Sequence, residues 1–305
     1  MNVQIASLRA QIKGGVLPAM ATPISEDGSR VNGPIIDLLV DFLINAGVKG
    51  LFVGGSTGEG ILLDLDQRKV LHERAVIAAR GRIPVLVHVG SNTTADSIYL
   101  AKHASDIGVH GIVAVTPYFY SVHDEAILSH FRSIAAAAPD LPFFGYDIPH
   151  MAVNGISPTL LADLMVYIPN FAGIKTSNSN AQVIRKLIDT VTGEKIVLVG
   201  NERIALGSLA MGADGLISGM STAVPEPFVS LVRAFCANQL DAARDIQKTI
   251  NKILDLMPAG ARIGAIKRIL DQRGIHAGPP LAPRPVPSAD WQAWQKIQAW
   301  IEKAN

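Results

Sequence analysis

Lys175 is a candidate nucleophile, because it stands near the end of a short apolar run at residues 171–177 that is typical of a buried β-strand. Burial disfavours the charged ammonium and lowers the pKa of a lysine. The neutral amine is the form that attacks a carbonyl carbon to make a Schiff base. The alternative is a lysine at a strand end that reaches into solvent, as most lysines do.

Tyr146 is a candidate proton carrier. It lies near the end of the apolar run at residues 143–149, which precedes the run of Lys175 in the chain. If the two runs are neighbouring strands, its hydroxyl can reach a nitrogen or oxygen attached to Lys175 and act as a general acid and base. The alternative is a tyrosine that lines a core and has a satisfied hydroxyl.

The segment Gly-Gly-Ser-Thr-Gly-Glu at residues 54–59 is a candidate anion site. Successive backbone N–H groups in such a loop form a nest for an anion, and Ser56 and Thr57 add hydroxyl donors. The loop lacks the lysine of a nucleotide-binding P-loop, so the carboxylate of a small keto acid suits it better. The alternative is a tight turn with a helix cap, in which Glu59 binds loop amides or the start of a helix.

Other reactive or aromatic residues carry weaker signals. The run Tyr118, Phe119 and Tyr120 fits an oligomer contact as well as a role in a site, because aromatic residues are enriched at interfaces. The eight histidines show no paired spacing, so we expect no metal site and no cofactor. His150 can line a pocket, although a structural role is favoured. Cys236 falls in an apolar helical pattern that predicts a buried packing role.

Eight strand-like runs alternate with helical patterns at a period of roughly thirty residues, the size of a βα unit. The predicted strands cover residues 16–23, 50–55, 84–90, 111–117, 143–149, 171–177, 195–201 and 215–221. The predicted helices between and after them cover residues 35–46, 65–80, 93–107, 124–138, 157–166, 180–190, 204–211 and 225–238. This alternation indicates a parallel sheet, and eight units fit a closed (β/α)8 TIM barrel. An open doubly wound sheet is disfavoured, because no glycine fingerprint follows the first strand.

Three more helical patterns follow the eight units, at residues 240–257, 260–273 and 289–303, with a connector rich in proline and glycine at residues 276–287. We expect the barrel and a short N-terminal segment to span residues 1–238. Residues 239–305 are expected to form a C-terminal helical extension packed on the barrel. Active groups of such barrels lie at the C-terminal ends of the strands, where Lys175, Tyr146 and residues 54–59 are placed.

Composition excludes several classes of protein. The 305 residues are 49% hydrophobic and 17% charged, which is sufficient for a large core. The net charge of +1 gives no support to binding of nucleic acid or of an anionic membrane. The single cysteine cannot form an intrachain disulfide, the first fifteen residues lack the pattern of a secretory signal, and no apolar run approaches the roughly 18 residues of a membrane span. We therefore expect a cytoplasmic protein.

The chain resembles the dihydrodipicolinate synthase / N-acetylneuraminate lyase family of class I Schiff-base lyases over nearly its whole length. The motifs that carry the resemblance lie, in order, at residues 18–23 with 27–28, 55–59, 89–92, 115–118, 146–149, 173–175 and 212–215. The resemblance implies a TIM barrel with a C-terminal helical segment. It also implies a homo-oligomer, usually a tetramer of two tight dimers.

The resemblance further implies roles for individual residues. Lys175 would condense with pyruvate or another 2-keto acid, Tyr146 would relay protons, and Ser56 and Thr57 would hold the carboxylate of the keto acid. The expected catalytic residues are therefore Lys175, Tyr146 and Ser56. The expected substrate-binding residues are Thr57, Gly55, Glu202, Arg203, Ile217 and Ser218.

Two departures from the pattern of the family concern the substrate. In the synthase branch an arginine five residues after the catalytic tyrosine binds the carboxylate of the second substrate. That position is Met151 here, and a thioether does not replace a guanidinium. In the sialic acid lyase branch an acidic pair after the seventh strand binds sugar hydroxyls, whereas here the pair is Glu202 and Arg203. These departures favour the sugar-acid aldolase branches, with a shorter or acidic tail.

A third departure concerns proton transfer. The family usually donates a tyrosine from the neighbouring subunit, and that position is Phe119 here. Tyr118 or Tyr120 would substitute if the loop shifts; otherwise proton transfer would be weakened by on the order of 10²-fold or more. These three aromatic residues are accordingly expected near the interface of a homodimer or homotetramer.

Four functions follow from these residues. The favoured one is a 2-keto-3-deoxy sugar-acid aldolase that works through a Schiff base. A sugar-acid dehydratase uses the same intermediate, and the sequence hardly distinguishes the two. Dihydrodipicolinate synthase is disfavoured by Met151. A non-catalytic protein that binds keto acids has its only support in Phe119.

Overall fold

The computed structural model describes residues 3–304. Its eight strands are β1 Gly15–Pro18, β2 Leu51–Val53, β3 Val85–His88, β4 Gly111–Val115, β5 Phe143–Asp147, β6 Phe171–Thr176, β7 Ile196–Val199 and β8 Gly215–Ser218. They form one parallel sheet in the order β1-β8-β7-β6-β5-β4-β3-β2. A parallel bridge between Ala19 and Phe52 joins its two edges, with the N–H of Met20 donating to the carbonyl oxygen of Phe52 at 2.9 Å. The predicted TIM barrel is confirmed.

Helices connect the strands and continue beyond the last one. Those up to the end of the eighth βα unit are α1 Val3–Ile12, α2 Gly33–Asn45, α3 Leu65–Ala79, α4 Thr94–Asp106, α5 Asp124–Ala136, α6 Pro149–Ala152, α7 Pro158–Tyr167, α8 Ala181–Thr190, α9 Ala205–Ala210 and α10 Glu226–Cys236. The last three are α11 Leu240–Asp255, α12 Arg262–Gln272 and α13 Trp294–Ala304. Short 3₁₀ turns lie at Gly60–Leu62, Glu202–Ile204 and Met220–Thr222. No helix of the described residues is long and apolar enough to cross a membrane.

Each predicted strand runs past the C-terminal end observed for it. Pro23, Pro117 and Pro149 lie in these overruns, and proline has no N–H to donate to a parallel ladder. Gly54, which follows β2, has a φ of 74° and turns the chain out of the strand. The residues after the strands therefore form loops at the rim of the barrel, which is where the candidate chemical groups lie.

The helix α1 was not predicted, although its sequence carries the apolar spacing of a helix. Ile5, Leu8 and Ile12 are buried and belong to the hydrophobic cluster inside the barrel, together with Leu17 and Phe52. Spacings of three and four residues place them on one face of the helix. Helix α1 thus packs its apolar face against the interior core of the barrel. The short helix α6 was also not predicted; it begins at Pro149, a residue suited to the first turn of a helix.

The helices α11 to α13 pack on the barrel and on one another. Arg273, at the end of α12, forms an ion pair with Glu226 of α10, in which one of the contacts is 3.2 Å. The indole N–H of Trp291 donates to the carbonyl oxygen of Leu256 at 2.9 Å. A boundary between residues 238 and 239 stays a prediction.

The expected burial of Cys236 is wrong, because its side chain is exposed. Phe228 and Leu231 of α10 are buried, and at 3.6 residues per turn a residue eight positions beyond Phe228 has rotated away from that face. Cys236 is also the last residue of α10, where the helix leaves the barrel.

Candidate active site

Lys175 and Tyr146 lie side by side at the C-terminal end of the barrel. The strands β5 and β6 pair with Tyr146 opposite Lys175, so both side chains leave the sheet at the same level and on the same face. The Nζ atom of Lys175 is 3.5 Å from the centroid of the Tyr146 ring. Lys175 is 3% exposed, so the alternative of a lysine that reaches into solvent is wrong.

Burial lowers the pKa of Lys175 from its ordinary value of 10.5. The negative charges that Tyr146, Asp147 and Glu202 can carry raise this pKa, but burial outweighs them. A lowered pKa leaves a larger fraction of the amine neutral at a given pH, and the neutral amine is the nucleophilic form. The surroundings of Lys175 are therefore those of an activated nucleophile.

Ser177 is part of the site, although the sequence analysis did not select it. The Nζ atom of Lys175 donates to the hydroxyl oxygen of Ser177 at 3.0 Å. Alternate residues of an extended chain share a face, so the spacing of two residues between Lys175 and Ser177 was a signal available in the sequence. The hydroxyl of Ser177 holds the amine at the rim of the barrel.

The hydroxyl of Tyr146 connects Lys175 to the glycine-rich loop. It lies 3.3 Å from the hydroxyl oxygen of Ser56. Burial raises the pKa of Tyr146, but the charge of Lys175 and hydrogen bonds with Lys175, Ser56 and Ser177 lower it by more, so the pKa lies below its ordinary value. A phenol of lowered pKa gives up its proton more readily, which suits a group that carries protons.

The ring of Tyr146 is held by two other rings. The rings of Phe52 and His88 meet it edge to face, with centroid distances of 6.0 Å and 6.1 Å. Burial lowers the pKa of His88 well below its ordinary value, and the charge of Arg68 lowers it further, so this imidazole is neutral. Arg68 donates to the carbonyl oxygen of His88 at 2.6 Å and to that of Gly90 at 3.0 Å. The neutral wall of Phe52 and His88 fixes the face that Tyr146 presents to Lys175.

The loop at residues 54–59 reverses the chain tightly after β2. Gly54 has a φ of 74° and Glu59 one of 57°, both in the left-handed region. A Cβ atom at Gly55 would lie 2.3 Å from the ring of Phe52, so Gly55 allows the loop to lie against that ring. Gly55 packs against Phe52, and its expected contact with substrate stays a prediction.

Ser56 and Thr57 lie on the inner side of this loop and line the cavity above Lys175. A Cβ atom at Gly219 would lie 2.5 Å from the hydroxyl oxygen of Thr57, so Thr57 approaches the backbone that follows β8. The expected donors therefore lie at the same cavity as the amine of Lys175.

The alternative in which Glu59 binds loop amides or the start of a helix is not observed. Its carboxylate is fully buried and lies 2.8 Å from the Nζ atom of Lys267 in α12. The same carboxylate accepts a hydrogen bond from the N–H of Leu281 at 2.7 Å. The glycine-rich loop is thus joined to the C-terminal helical segment.

The cavity above Lys175 measures about 550 Å³ and is bounded by the barrel rim on one side and by the C-terminal segment on the other. Residues from the strand ends and from the loops after them include Ser56, Thr57, Ile148, His150, Met151, Ser177, Glu202, Arg203 and Ile217. Residues from the C-terminal segment are Leu254, Met257, Pro258, Ala259, Gly260, Arg262, Ile263, Arg284 and Pro285. His150 is exposed at this cavity, so the structural role favoured for it is not observed.

Glu202 is buried and already has several partners. Its carboxylate accepts from the hydroxyl of Ser218 at 2.8 Å and from the N–H of Met220 at 2.7 Å, and it pairs with Arg262. Burial raises the pKa of Glu202, but the charge of Arg262 and these hydrogen bonds lower it by more. Glu202 therefore holds the cavity wall together, and Ser218 is engaged with it. Their expected contacts with substrate stay predictions.

Arg203 and Ile217 line the cavity, and their expected contacts with substrate stay predictions. The guanidinium of Arg203 is half-exposed and lies 2.8 Å from a carboxylate oxygen of Asp255 at the surface. The part of the cavity near Arg203 therefore carries a cation whose charge is partly compensated.

The aromatic run after β4 lies away from the amine. Phe119 is 74% exposed, its φ of 77° is in the left-handed region, and its ring stacks edge to face with that of Tyr120. Tyr118 is partly buried against the core inside the barrel. Neither Phe119 nor Tyr120 lines the cavity in the described part of the chain, so whether they meet a second subunit stays a prediction.

Among residues 3–304 there is no group of three or more His, Cys, Asp or Glu side chains placed to hold a metal ion. The chemical groups of the cavity include an amine, a phenol, hydroxyls, guanidiniums, an imidazole, an amide and a carboxylate that is already paired. This set can form an imine with a ketone, bind a carboxylate and move a proton between oxygen and carbon.

The sequence model of the dihydrodipicolinate synthetase family matches residues 13–304 of the chain. The chain is 32% identical to a 4-hydroxy-tetrahydrodipicolinate synthase of Listeria welshimeri, over 95% of this chain and 98% of that one. It is 31% identical to an N-acetylneuraminate lyase of Rhizobium meliloti, over 95% of this chain and 97% of that one.

Solved structures give the same two kinds of relative. A catalytic-lysine mutant of the sialic acid aldolase of Ruminococcus gnavus superposes with a TM-score of 0.92, at 29% identity over 97% of each chain. YagE of Escherichia coli K12, a prophage protein of the dihydrodipicolinic acid synthase family solved in complex with pyruvate, superposes with a TM-score of 0.87, at 26% identity over 95% of this chain and 98% of that one.

Proposed function

The chain belongs to the dihydrodipicolinate synthetase family and is a lyase of the class I aldolase type, and on this premise we propose that it cleaves or forms a 2-keto-3-deoxy sugar acid through a Schiff base on Lys175. The observation that carries the proposal is the buried amine of Lys175, 3.5 Å from the ring of Tyr146 and in one cavity with Ser56 and Thr57. The catalytic lysine of the sialic acid aldolase and the pyruvate bound to YagE support it.

The first step joins the substrate to the enzyme. The neutral amine of Lys175 attacks the ketone carbon C2, and a proton moves from the nitrogen to the oxygen. With a second proton from solvent the oxygen leaves as water, which gives a protonated imine. The pKa of Lys175, lowered by burial, supplies the neutral amine. The hydroxyls of Ser56 and Thr57 and the loop N–H groups hold the carboxylate at C1.

The second step breaks the carbon–carbon bond. Tyr146, as the phenolate, takes the proton of the C4 hydroxyl and the C3–C4 bond breaks. An aldehyde leaves, and the electron pair of the broken bond moves into the imine to give an enamine. Tyr146 returns the proton to C3, and water then releases pyruvate and the free amine. A positioned acid and base typically contributes 10²–10⁴-fold to the rate.

The proposal is tested by trapping the imine. The protein is incubated with pyruvate, reduced with borohydride, weighed and digested. We expect one adduct per chain, on Lys175, and none in a Lys175→Ala variant. Lyase turnover by Lys175→Ala, or an unchanged mass with several keto acids, would contradict the proposal, and the second result would favour the non-catalytic binder.

A dehydratase is the first alternative, because it uses the same protonated imine: a proton leaves C3 to give an enamine that still carries C4, and the C4 hydroxyl takes up a proton and leaves as water. A synthase is the second, since several relatives carry that name. Met151, which stands where the synthases have an arginine, lines the cavity and so disfavours this activity. However, the cavity also contains guanidiniums from the C-terminal segment, which are groups that bind carboxylates. A panel of 2-keto-3-deoxy sugar acids, with aspartate semialdehyde and pyruvate as the synthase arm, separates the three activities.

We also propose a homo-oligomer in which Phe119 and Tyr120 contact a second subunit. Their exposure and the large area that two adjacent aromatic rings present support such a contact. A change of Tyr120 to Ser should shift the assembly towards smaller species in sedimentation, and an unchanged size distribution would argue against it. The cytoplasmic location expected from the sequence stays a prediction.

A further inference from the structure

The connector between α12 and α13 is held on both sides of Arg284, by contacts with α12 and with Glu59 of the glycine-rich loop. Before it, Lys267 donates to the carbonyl oxygen of Pro279 at 2.8 Å, and the N–H of Leu281 donates to Glu59 at 2.7 Å. After it, Arg268 donates to the carbonyl oxygen of Pro287 at 3.0 Å. These contacts place Arg284 over the cavity, which it lines.

The three arginines that line the described cavity differ in their partners. Arg262 is paired with Glu202, and Arg203 is paired with Asp255. Arg284 has no carboxylate partner within ion-pair distance among the described residues; its described hydrogen bond is a long one of 3.4 Å to the carbonyl oxygen of Ser56. A guanidinium has five N–H donors, so most of those of Arg284 are available to a ligand.

Ser56 separates Arg284 from the reacting end of the site. Its hydroxyl oxygen lies 3.3 Å from the hydroxyl of Tyr146, whereas its carbonyl oxygen faces Arg284. Arg284 belongs to the C-terminal segment, which bounds the outer side of the cavity, and Lys175 belongs to the barrel rim. A substrate bound to Lys175 through its ketone and longer than pyruvate would extend outwards, towards this segment.

We infer that Arg284 binds a second carboxylate at the end of the substrate remote from the ketone, so that the preferred substrate is a 2-keto acid with two carboxylates. The inference rests on the function proposed above. A guanidinium binds a carboxylate through two parallel hydrogen bonds, and a terminal hydroxymethyl group cannot replace them. Arg284 is accordingly a specificity-determining residue that lies outside the strand-end loops.

The test compares two substrates of equal length that differ at one end. One is a 2-keto-3-deoxy hexonate with a terminal hydroxymethyl group, and the other is the 2-keto-3-deoxy hexarate with a terminal carboxylate. We expect the wild-type enzyme to prefer the dicarboxylate in kcat/KM by on the order of 10- to 100-fold, the effect of one charged hydrogen-bonded pair. Arg284→Gln should abolish this preference, mainly by raising KM for the dicarboxylate.

Two further variants complete the test. Arg284→Lys keeps the positive charge but loses the planar guanidinium, which binds a carboxylate through two hydrogen bonds. This variant should therefore retain part of the preference for the dicarboxylate that Arg284→Gln loses. Arg185→Gln is the matched control, because Arg185 is exposed, pairs with Asp189 on its own helix and lies outside the cavity; it should keep the full preference. A stronger preference for a terminal phosphate ester than for the carboxylate would overturn the assignment of the group bound by Arg284.

Trapping with pyruvate distinguishes failure of this inference from failure of the proposed function. If no imine forms on Lys175 with any keto acid, the proposed function itself is wrong. If the imine forms but the wild-type enzyme has the same kcat/KM for the monocarboxylate and the dicarboxylate, only the role of Arg284 is wrong. If Arg284→Gln weakens pyruvate trapping as strongly as dicarboxylate turnover, Arg284 binds the carboxylate next to the ketone, and the inference is overturned.

Discussion

Glu59 and Lys267 form an ion pair at 2.8 Å with both side chains almost fully buried, at 0% and 2% exposure. One residue closes the glycine-rich loop after β2, and the other lies on α12, more than two hundred positions later in the chain. Burial lowers the pKa of Lys267, and the charge of Glu59 opposes this effect. The pair ties the segment that carries Arg284 to the loop that carries Ser56 and Thr57.

Removal of one partner of this pair should destabilise the protein strongly. Glu59→Gln or Lys267→Met leaves one charge buried without its counterpart, and we expect the free energy of unfolding to fall by about 3–5 kcal/mol. The double variant should lose less than the sum of the two single losses, because neither charge remains. Urea titration of the four proteins measures this coupling.

The exposed pair of Arg185 and Asp189 is the control for that experiment. Asp189→Asn should lower the free energy of unfolding by no more than about 1 kcal/mol, as is usual for exposed ion pairs. Additive losses in the cycle of Glu59 and Lys267 would show that the two charges do not stabilise each other.

Tyr146→Phe should impair turnover far more than imine formation with the substrate carbonyl. The variant keeps the ring that packs on Phe52 and His88 and loses only the hydroxyl, so the fold should be preserved. We expect kcat for carbon–carbon cleavage to fall by about 10²–10⁴-fold. Steady-state kinetics of cleavage measures this loss, and borohydride trapping of pyruvate shows that Lys175 stays reactive.

Tyr99→Phe is the matched control, since Tyr99 is exposed and bonded to Lys69 on a neighbouring helix. It should leave kcat unchanged. Full cleavage activity in Tyr146→Phe would mean that another group carries the proton of the C4 hydroxyl.

The rate of imine formation should depend on pH in a defined direction. Lys175 must lose its proton before it attacks, so the rate rises as pH rises and levels off above the pKa of the amine. Because burial lowers the pKa of Lys175, the midpoint should lie below 10.5. Trapping with pyruvate in short pulses across the pH range, followed by mass spectrometry, gives this midpoint.

The same titration on Tyr146→Phe separates the two ionisations. Its lysine loses a neighbour whose negative charge raises the pKa of Lys175, so the midpoint should move further down. A midpoint at or above 10.5 in the wild-type protein would show that the amine is not activated by burial.

A guanidinium at position 151 should increase synthase activity. Met151 is half-exposed, lies on α6 and lines the cavity, so Met151→Arg can present its charge there without disturbing the core. We expect turnover of aspartate semialdehyde with pyruvate to rise by on the order of 10-fold or more, the effect of one charged hydrogen bond to a carboxylate. Met151→Leu keeps the size without the charge and should change nothing. Robust synthase turnover by the wild-type protein would show that Met151 does not prevent synthase activity.

Much of the fold was predictable because it rests on local periodicity. The strand-helix alternation, the apolar runs and their length indicate eight βα units without any knowledge of distant contacts. The same units place Lys175 and Tyr146 at the C-terminal ends of β6 and β5, and their register makes them neighbours. The helix α1 carries its signal in the spacing of Ile5, Leu8 and Ile12. The predicted burial of Cys236 is wrong because α10 ends at this residue, whose side chain is exposed.

The sequence by itself determined the barrel, the rim on which the chemistry lies and the lysine most suited to it, because those follow from repeated short-range patterns. Only the tertiary structure decided that Glu59 pairs with Lys267 and that Glu202 pairs with Arg262. It also decided that Arg284 is the cavity arginine with no carboxylate partner among residues 3–304. These relationships join residues tens to hundreds of positions apart. Their charges and burial depend on how the C-terminal segment folds back over the barrel, and no local pattern of residues encodes that path.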